Sequence, residues 1–178
     1  AGILGRGWSY KANFGIVSSN TWTKSRTAVD TNAAGQFEYD GLLGSGTRPE
    51  LRRLDEGPVQ SSRGSMRIDY NYVNNSVSTI EGGTSEVQNE VFVTGIGRVQ
   101  VKKAHKPWGR ITYTSSHLNV SIWGQGRRSV SPQYSLASGA KLEEKSEIYH
   151  AEAQYNFWPI ADQLRVIGGA SHRYYHVD

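Results

Sequence analysis

Between Glu147 and His172 the chain alternates between two chemistries, residue by residue. Tyr149, Ala151, Ala153, Tyr155 and Phe157 take one parity, and His150, Glu152, Gln154 and Asn156 take the other. Successive side chains of a strand point to opposite faces, so this run predicts a strand with one apolar, aromatic face and one polar face. Trp158-Pro159-Ile160-Ala161-Asp162 then interrupts the ladder, because proline has no N–H to donate. The return run sets Leu164, Val166, Gly168 and Ala170 against Gln163, Arg165 and Ser171, with Ile167 as the exception.

Each arm of this hairpin has about ten residues, the length of a tilted strand that crosses a bilayer. Aromatic residues gather near the ends of the arms: Tyr155, Phe157 and Trp158 at the turn, Tyr149, Tyr174 and Tyr175 at the far side. Long strands, apolar on one face and with aromatics at both rims, are the pattern of an outer-membrane barrel. The composition agrees. Hydrophobic residues make up 37%, while 20 glycines and 10 tyrosines suit an all-β chain that hides one face of each strand. No apolar run approaches the length of a transmembrane helix, and barrel strands leave no such trace.

The formal charge of +4 comes from 20 basic and 16 acidic residues spread along the chain. A nucleic-acid binder concentrates its charge, whereas Arg52-Arg53 and Arg127-Arg128 are only pairs in expected loops, so no nucleic-acid partner is expected. The absence of cysteine excludes a disulfide scaffold and a thiolate metal site. With no initiator Met or signal segment ahead of it, Ala1 reads as a processed or excised end, and the last residues carry no closing signal. The expectation is a single all-β segment, 1–178, belonging to something larger.

Taken in order, Trp8 to Val17 alternates as a first strand. Arg63 to Val73 is the second, followed by a turn at Asn74-Asn75, since Asn tolerates a positive φ. Ser76 to Glu86 returns, with Gly82-Gly83 suggesting a bulge. Pro107 to Thr114 and His117 to Gln125 form a further pair about Ser115-Ser116, although Trp123 breaks the second pattern. With the hairpin above, this makes about seven long strands joined by long loops over 18–62, 87–104 and 126–144. Short turns then share one rim and long loops the other, as in bacterial outer-membrane barrels. The fold class expected is all-β, antiparallel and up-and-down, a partial barrel segment with its long loops on one rim.

Several segments resemble the barrel of TonB-dependent outer-membrane receptors. They are Trp8-Ser9-Tyr10-Lys11-Ala12-Asn13-Phe14-Gly15, Arg67-Ile68-Asp69-Tyr70-Asn71-Tyr72 and Val93-Thr94-Gly95-Ile96-Gly97. They continue with Trp108-Gly109-Arg110-Ile111-Thr112-Tyr113, Leu118-Asn119-Val120-Ser121-Ile122 and Tyr149-His150-Ala151-Glu152-Ala153-Gln154-Tyr155, answered by Leu164 to Ser171. The resemblance implies a barrel of about 22 strands with a globular plug, located in the bacterial outer membrane. It implies uptake of a scarce ligand: a siderophore or other iron chelate, cobalamin, a glycan or a peptide. The implied partners are outer-membrane lipid and the rest of the barrel with its plug. Open strand edges add the prospect of self-association.

If the apolar sides meet lipid, the ligand- or lumen-facing candidates are Arg67, Asp69, Arg110, Asn119, Glu152, Gln154 and Arg165. Trp22, Phe37, Tyr39 and Tyr134 are rival contacts in loops. His150 and His172 are expected to face each other across the hairpin, but scattered imidazoles without tight spacing do not make a metal site. Glu143, Glu144 and Glu147 lack paired geometry, and no Gly-x-Ser-x-Gly elbow occurs, so no enzyme and no cofactor is expected. The alternative function is a soluble or self-assembling β-sheet module, for carbohydrate binding or edge-paired filaments, its apolar faces packed on each other.

Overall fold

The computed structural model describes residues 1–20, 29–31, 37–39, 58–94, 97–135, 140–160 and 163–177. Its elements are β1 (Gly2–Gly5), β2 (Trp8–Ser19), β3 (Val29–Thr31), β4 (Phe37–Tyr39), β5 (Val59–Asn71) and β6 (Val77–Thr94). They continue with β7 (Gly97–Thr114), β8 (Leu118–Ser135), β9 (Lys141–Leu142), β10 (Lys145–Ile160) and β11 (Leu164–Val177). One sheet runs β1-β2-β5-β6-β7-β8-β10-β11, with β9 attached to β8, and β3 pairs with β4 separately. Every ladder is antiparallel. The fold is therefore all-β and up-and-down, and seven strands of twelve or more residues carry it, as the alternation predicts.

The tight turns at Arg6-Gly7, 72–76 and 115–117 lie at one end of the sheet, where β10 and β11 also end and begin at the Ile160–Leu164 pair. The loop bounds need correction. Residues 87–104 and 126–144 are not loops through most of their length: β6 runs on to Thr94, β7 starts at Gly97 and β8 continues to Ser135. The first connection shortens to 20–58, with β3 and β4 inside it. Pro159 also does not end its strand. β10 absorbs it in a register shift between Phe157 and Ile160 and continues to pair Ile160 with Leu164. β1 leaves no alternating trace in the sequence because it is only four residues long.

The registers stack like side chains into rows across the sheet. One row runs Tyr10, Ile68, Ile80, Ile111, Ile122, Ala151 and His172 through all seven long strands. Beside it, toward the tight turns, lie Trp8, Tyr70, Ser78, Tyr113, Val120, Ala153 and Ala170. There Trp8 packs on Tyr70 at 4.6 Å between ring centroids, Tyr70 on Tyr72 at 4.6 Å, and Tyr72 on Tyr113 at 6.2 Å. Toward the other end comes Ala12, Met66, Gly82, Gly109, Gly124, Tyr149 and Tyr174. From Tyr72 to Gly64 along β5 this apolar band covers eight residue steps, about 27 Å of strand. Tilted by about 40°, such a strand spans about 21 Å, close to the height of a lipid-facing band.

Exposure is inverted relative to a water-soluble sheet. Ile80, Ile111 and Ile122 are 59%, 55% and 53% exposed, whereas the side chains of Asp69 and Glu81, on the opposite face, are 17% and 21% exposed. These polar side chains pair with their neighbours, Asp69 with Arg67 and Thr79 and Glu81 with Arg110. Among the described residues the buried apolar side chains are Val87, Val99, Val101 and Ala104, all beyond the apolar band toward the long-connection end. The band itself has no second layer among the described residues.

Local chemistry sets the turns. Asn75 sits at φ 60, and the Asn74 Oδ1 accepts from the Ser76 N–H at 3.2 Å and from the Ser76 Oγ at 2.6 Å. Only Asn75 is left-handed, so this is a longer turn than a two-residue Asn-Asn hairpin. Asn75→Ala is expected to destabilise the β5–β6 hairpin by about 1 kcal/mol and Asn75→Gly by less, measured by denaturant unfolding. At the first turn Gly7 has φ 87, a Cβ there would strike the Asn71 carbonyl oxygen, and the Gly7 carbonyl oxygen accepts from the Asn71 N–H at 2.8 Å.

Beyond the band the ladder continues with polar side chains on both faces beside the buried Val87, Val99, Val101 and Ala104. On the apolar side one such row reads Ile16, Ser62, Glu86, His105, Arg128 and Lys145, polar from β5 to β10. Lys103 pairs with Glu86 at 3.0 Å and Arg128 with Glu147 at 2.8 Å. The Gln88 amide, and then the Lys103 ammonium, hold the Glu86 carboxyl below the usual glutamate value. A depressed pKa stabilises the folded form fully above the ordinary carboxylate range, and the contribution is lost as pH falls through the folded value. Relative to the intrinsic exchange rate at each pH, amide protection at Val87 and Lys103 should therefore be lower at pH 3 than at pH 7, and Glu86→Gln should remove that difference.

Candidate functional site

The polar face is built by the residues that alternate with the apolar rows. One row reads Ser9, Asp69, Thr79, Thr112, Ser121, Glu152 and Ser171, and the next Lys11, Arg67, Glu81, Arg110, Trp123, His150 and Arg173. Toward the tight turns Thr114, Asn119, Gln154 and Gly169 continue the same face. Arg67, Asp69, Arg110, Asn119, Glu152 and Gln154 thus share one surface across β5 to β10. Arg165 lies on the same face at the turn end, its guanidinium 5.4 Å from the centre of the Trp158 ring.

These groups are tied to one another. Arg67 Nε donates to Asp69 Oδ1 at 2.8 Å, and Thr79 Oγ1 donates to the same oxygen. Arg110 lies 3.8 Å from Glu81 across β6–β7. Asn119 faces Gln154 directly, and Thr114 Oγ1 donates to Asn119 Oδ1 at 3.3 Å. His150 Nε2 sits 3.6 Å from Glu152 Oε2, while Arg173 Nε reaches His150 Nδ1 at 3.4 Å. Asp69, Glu81 and Glu152 are thereby each within reach of a basic or hydroxyl partner, the arrangement that keeps a polar face shielded without burying unpaired charge.

Two indoles interrupt this surface. Trp108 and Trp123 belong to the polar parity of β7 and β8, where Trp108 faces Gln125 and Trp123 faces Arg110. They stand on the diagonal of the β7–β8 ladder, with β-carbons about 7 Å apart. His150 approaches the Trp123 ring at 5.5 Å and the Arg173 guanidinium at 5.9 Å, both from the β10–β11 side. A depression of about 520 Å³ is lined by both indoles together with Glu81, Asn119, Gln125 and Glu152. Sequence reasoning found Asn119 and Glu152 but passed over both tryptophans. The signal was present in the broken alternation at Trp123.

The hairpin registers correct one expectation. His150 faces Arg173 and His172 faces Ala151, so the two histidines lie on opposite faces of the sheet and cannot share a ligand. Their one-residue offset places His172 in the isoleucine row. Among the described residues no three His, Asp or Glu side chains converge as metal ligands. Glu144 and Glu147 are held by Arg127 at 3.2 Å and Arg128 at 2.8 Å respectively. Tyr134 lies in β8 rather than a loop, with Lys102 at 5.8 Å from its ring centre. Trp22 falls outside the described residues, and Phe37 and Tyr39 are described only as backbone of β4.

A second groove, of about 470 Å³, lies on the apolar side over Gly109 and Gly124, bounded by Ile111, Ile122, Tyr149 and Tyr174. It follows from three glycines standing side by side in one row. No protein-family model, no curated protein and no solved structure matches this chain, so the functional reading rests on this geometry.

Proposed function

We propose that the chain forms part of the wall of an outer-membrane β-barrel of the TonB-dependent receptor type, which takes up a scarce ligand. The observation that carries this reading is the isoleucine row on the four adjacent strands β5 to β8, exposed at Ile80, Ile111 and Ile122 and backed by a polar face of mutually paired charges. Hydrocarbon is the environment in which such a row is stable without a second layer. The polar face would border the lumen and the plug, and the charged row of Glu86, Arg128 and Lys145 would lie at the headgroup level.

Strand parity supports membership in a larger barrel. Seven long antiparallel strands leave β2 and β11 running the same way, so these two edges cannot close on each other as an antiparallel pair. β1 adds an eighth strand of opposite sense, but with four residues it cannot cover the fourteen of β11. In lipid each unpaired backbone group costs several kcal/mol. The edge of β11 must therefore be met by further strands, supplied by the rest of the barrel.

Mixed with preformed phospholipid vesicles and centrifuged through a density gradient, the chain should float with the lipid and require detergent for release. A monodisperse, water-soluble monomer that remains at the bottom of the gradient would contradict the proposal and favour the soluble β-sheet module.

A further inference from the structure

We infer that the depression lined by Trp108 and Trp123 is a binding site for a neutral saccharide. The inference rests on the reading above only in that the polar face must border water. The placement of the indoles is the first argument. Every other long-strand position of this parity near them on β7 and β8 is polar: Arg110, Thr112, Ser121 and Gln125. Trp108 is 38% exposed, so a large apolar ring is left open among groups that pair with water. On a surface that shuns hydrocarbon, such a ring needs a partner that is itself part apolar and part hydroxylated.

A pyranose ring is that partner. Its C–H face is weakly electropositive and lies well on the negative face of an indole. Its hydroxyls stand around the rim, each able to donate and to accept. The depression offers matching groups: carboxylates at Glu81 and Glu152 that accept, and amides at Asn119 and Gln125 that do both. Two indoles on one diagonal of the β7–β8 ladder offer two apolar rings to one ligand. A volume of about 520 Å³ is within the range of small-ligand sites.

Charge selects against the rival ligands. Arg110 is engaged by Glu81 at 3.8 Å, and a second carboxylate, Glu152, borders the same space. A phosphate or a polycarboxylate would meet two acids and one already paired guanidinium. A neutral polyol meets only groups it can satisfy. His150 and Arg173 hold Trp123 from the far side, which fixes the platform before the ligand arrives.

The test is titration of the purified chain with maltotriose and with cellotriose, in a detergent whose headgroup is not a sugar, followed by tryptophan emission and calorimetry. Saturable binding by at least one trisaccharide is expected, with at least a tenfold loss in Trp108→Ala and in Trp123→Ala. Trp123→Phe should keep most of the affinity, and Asn119→Ala and Glu152→Gln should each weaken it severalfold with the β-sheet spectrum unchanged. Adenosine monophosphate, planar and anionic, should bind more weakly than the trisaccharide. Three results would overturn the inference: no saturable response up to about 10 mM, the same affinity after removal of either indole, or tighter binding of the nucleotide. Vesicle flotation is independent of all three, so failure of the site and failure of the barrel reading are separately visible.

Discussion

Replacing Ile111 with Arg should cost about 2–4 kcal/mol of folding stability in a phospholipid bilayer, the penalty for a cation near the midplane of a lipid-facing barrel surface. Ile111 stands at the centre of the row from Tyr10 to His172, flanked by Ile80 and Ile122, and it is 55% exposed. In water the same substitution at a half-exposed position is worth at most about 0.5 kcal/mol. The environment, not the contact list, decides the outcome. Thr112→Arg provides the control. It is one residue away on the opposite face, between Thr79 and Ser121, and should change stability by less than about 1 kcal/mol. Denaturant titrations of the three proteins in the same vesicles measure both differences.

Gly83→Val should be the most damaging substitution on the polar face, at about 3 kcal/mol or more through overpacking. A Cβ at Gly83 would strike the Gly64 carbonyl oxygen and come within 2.9 Å of the Ser65 Cβ, both on the neighbouring strand β5. The obstacle is backbone, which cannot swing aside as a flexible side chain does. β5 and β6 would have to separate where Ser65 pairs with Gly83, and Trp108 opposite would lose its seat. Gly168→Ala is the matching control, since nothing lies within 4 Å of the added methyl group and the residue has an ordinary φ. It should leave stability unchanged or raise it slightly by restricting the unfolded chain. Chemical denaturation of both variants, followed by far-ultraviolet circular dichroism, measures the contrast.

The parts of the fold that were legible in the sequence are those where two environments meet at the sheet. Trp8 to Ile16, Met66 to Tyr72 and Tyr149 to Phe157 alternate because one face is apolar and the other polar, and period two follows at once. The segments Val87 to Thr94 and Gly97 to Lys103 look like loop in the sequence for the same reason in reverse. They rise past the apolar band, where polar groups such as Gln88, Lys102 and Lys103 occupy both faces, so the ladder persists without an amphipathic signature. Backbone pairing does not need alternation; only its detection does. Trp158-Pro159 has the sequence of a terminator, yet a register shift accommodates the missing donor without ending the strand.

The candidate site was legible by parity and not by chemistry. Once the strands were phased, Arg67, Asp69, Arg110, Asn119, Glu152, Gln154 and Arg165 had to share a face. The register between strands was not readable, and it decides that Arg110 meets Glu81 and that Trp123 lies across from Arg110. The same register separates His150 from His172. Cross-strand partners depend on turn lengths, and a single residue in a turn changes every pair.

Since the chain contains no cysteine, single cysteines can be introduced from Asn119 to Gly124 on β8 and labelled with a nitroxide. Collision rates with oxygen, which concentrates in hydrocarbon, and with a water-soluble nickel chelate then report each site's surroundings in vesicles. Sites 120, 122 and 124 should favour oxygen and sites 119, 121 and 123 the chelate, in strict alternation. Nickel access at 120, 122 and 124, or shielding of those sites from both reagents, would contradict a hydrocarbon-facing isoleucine row.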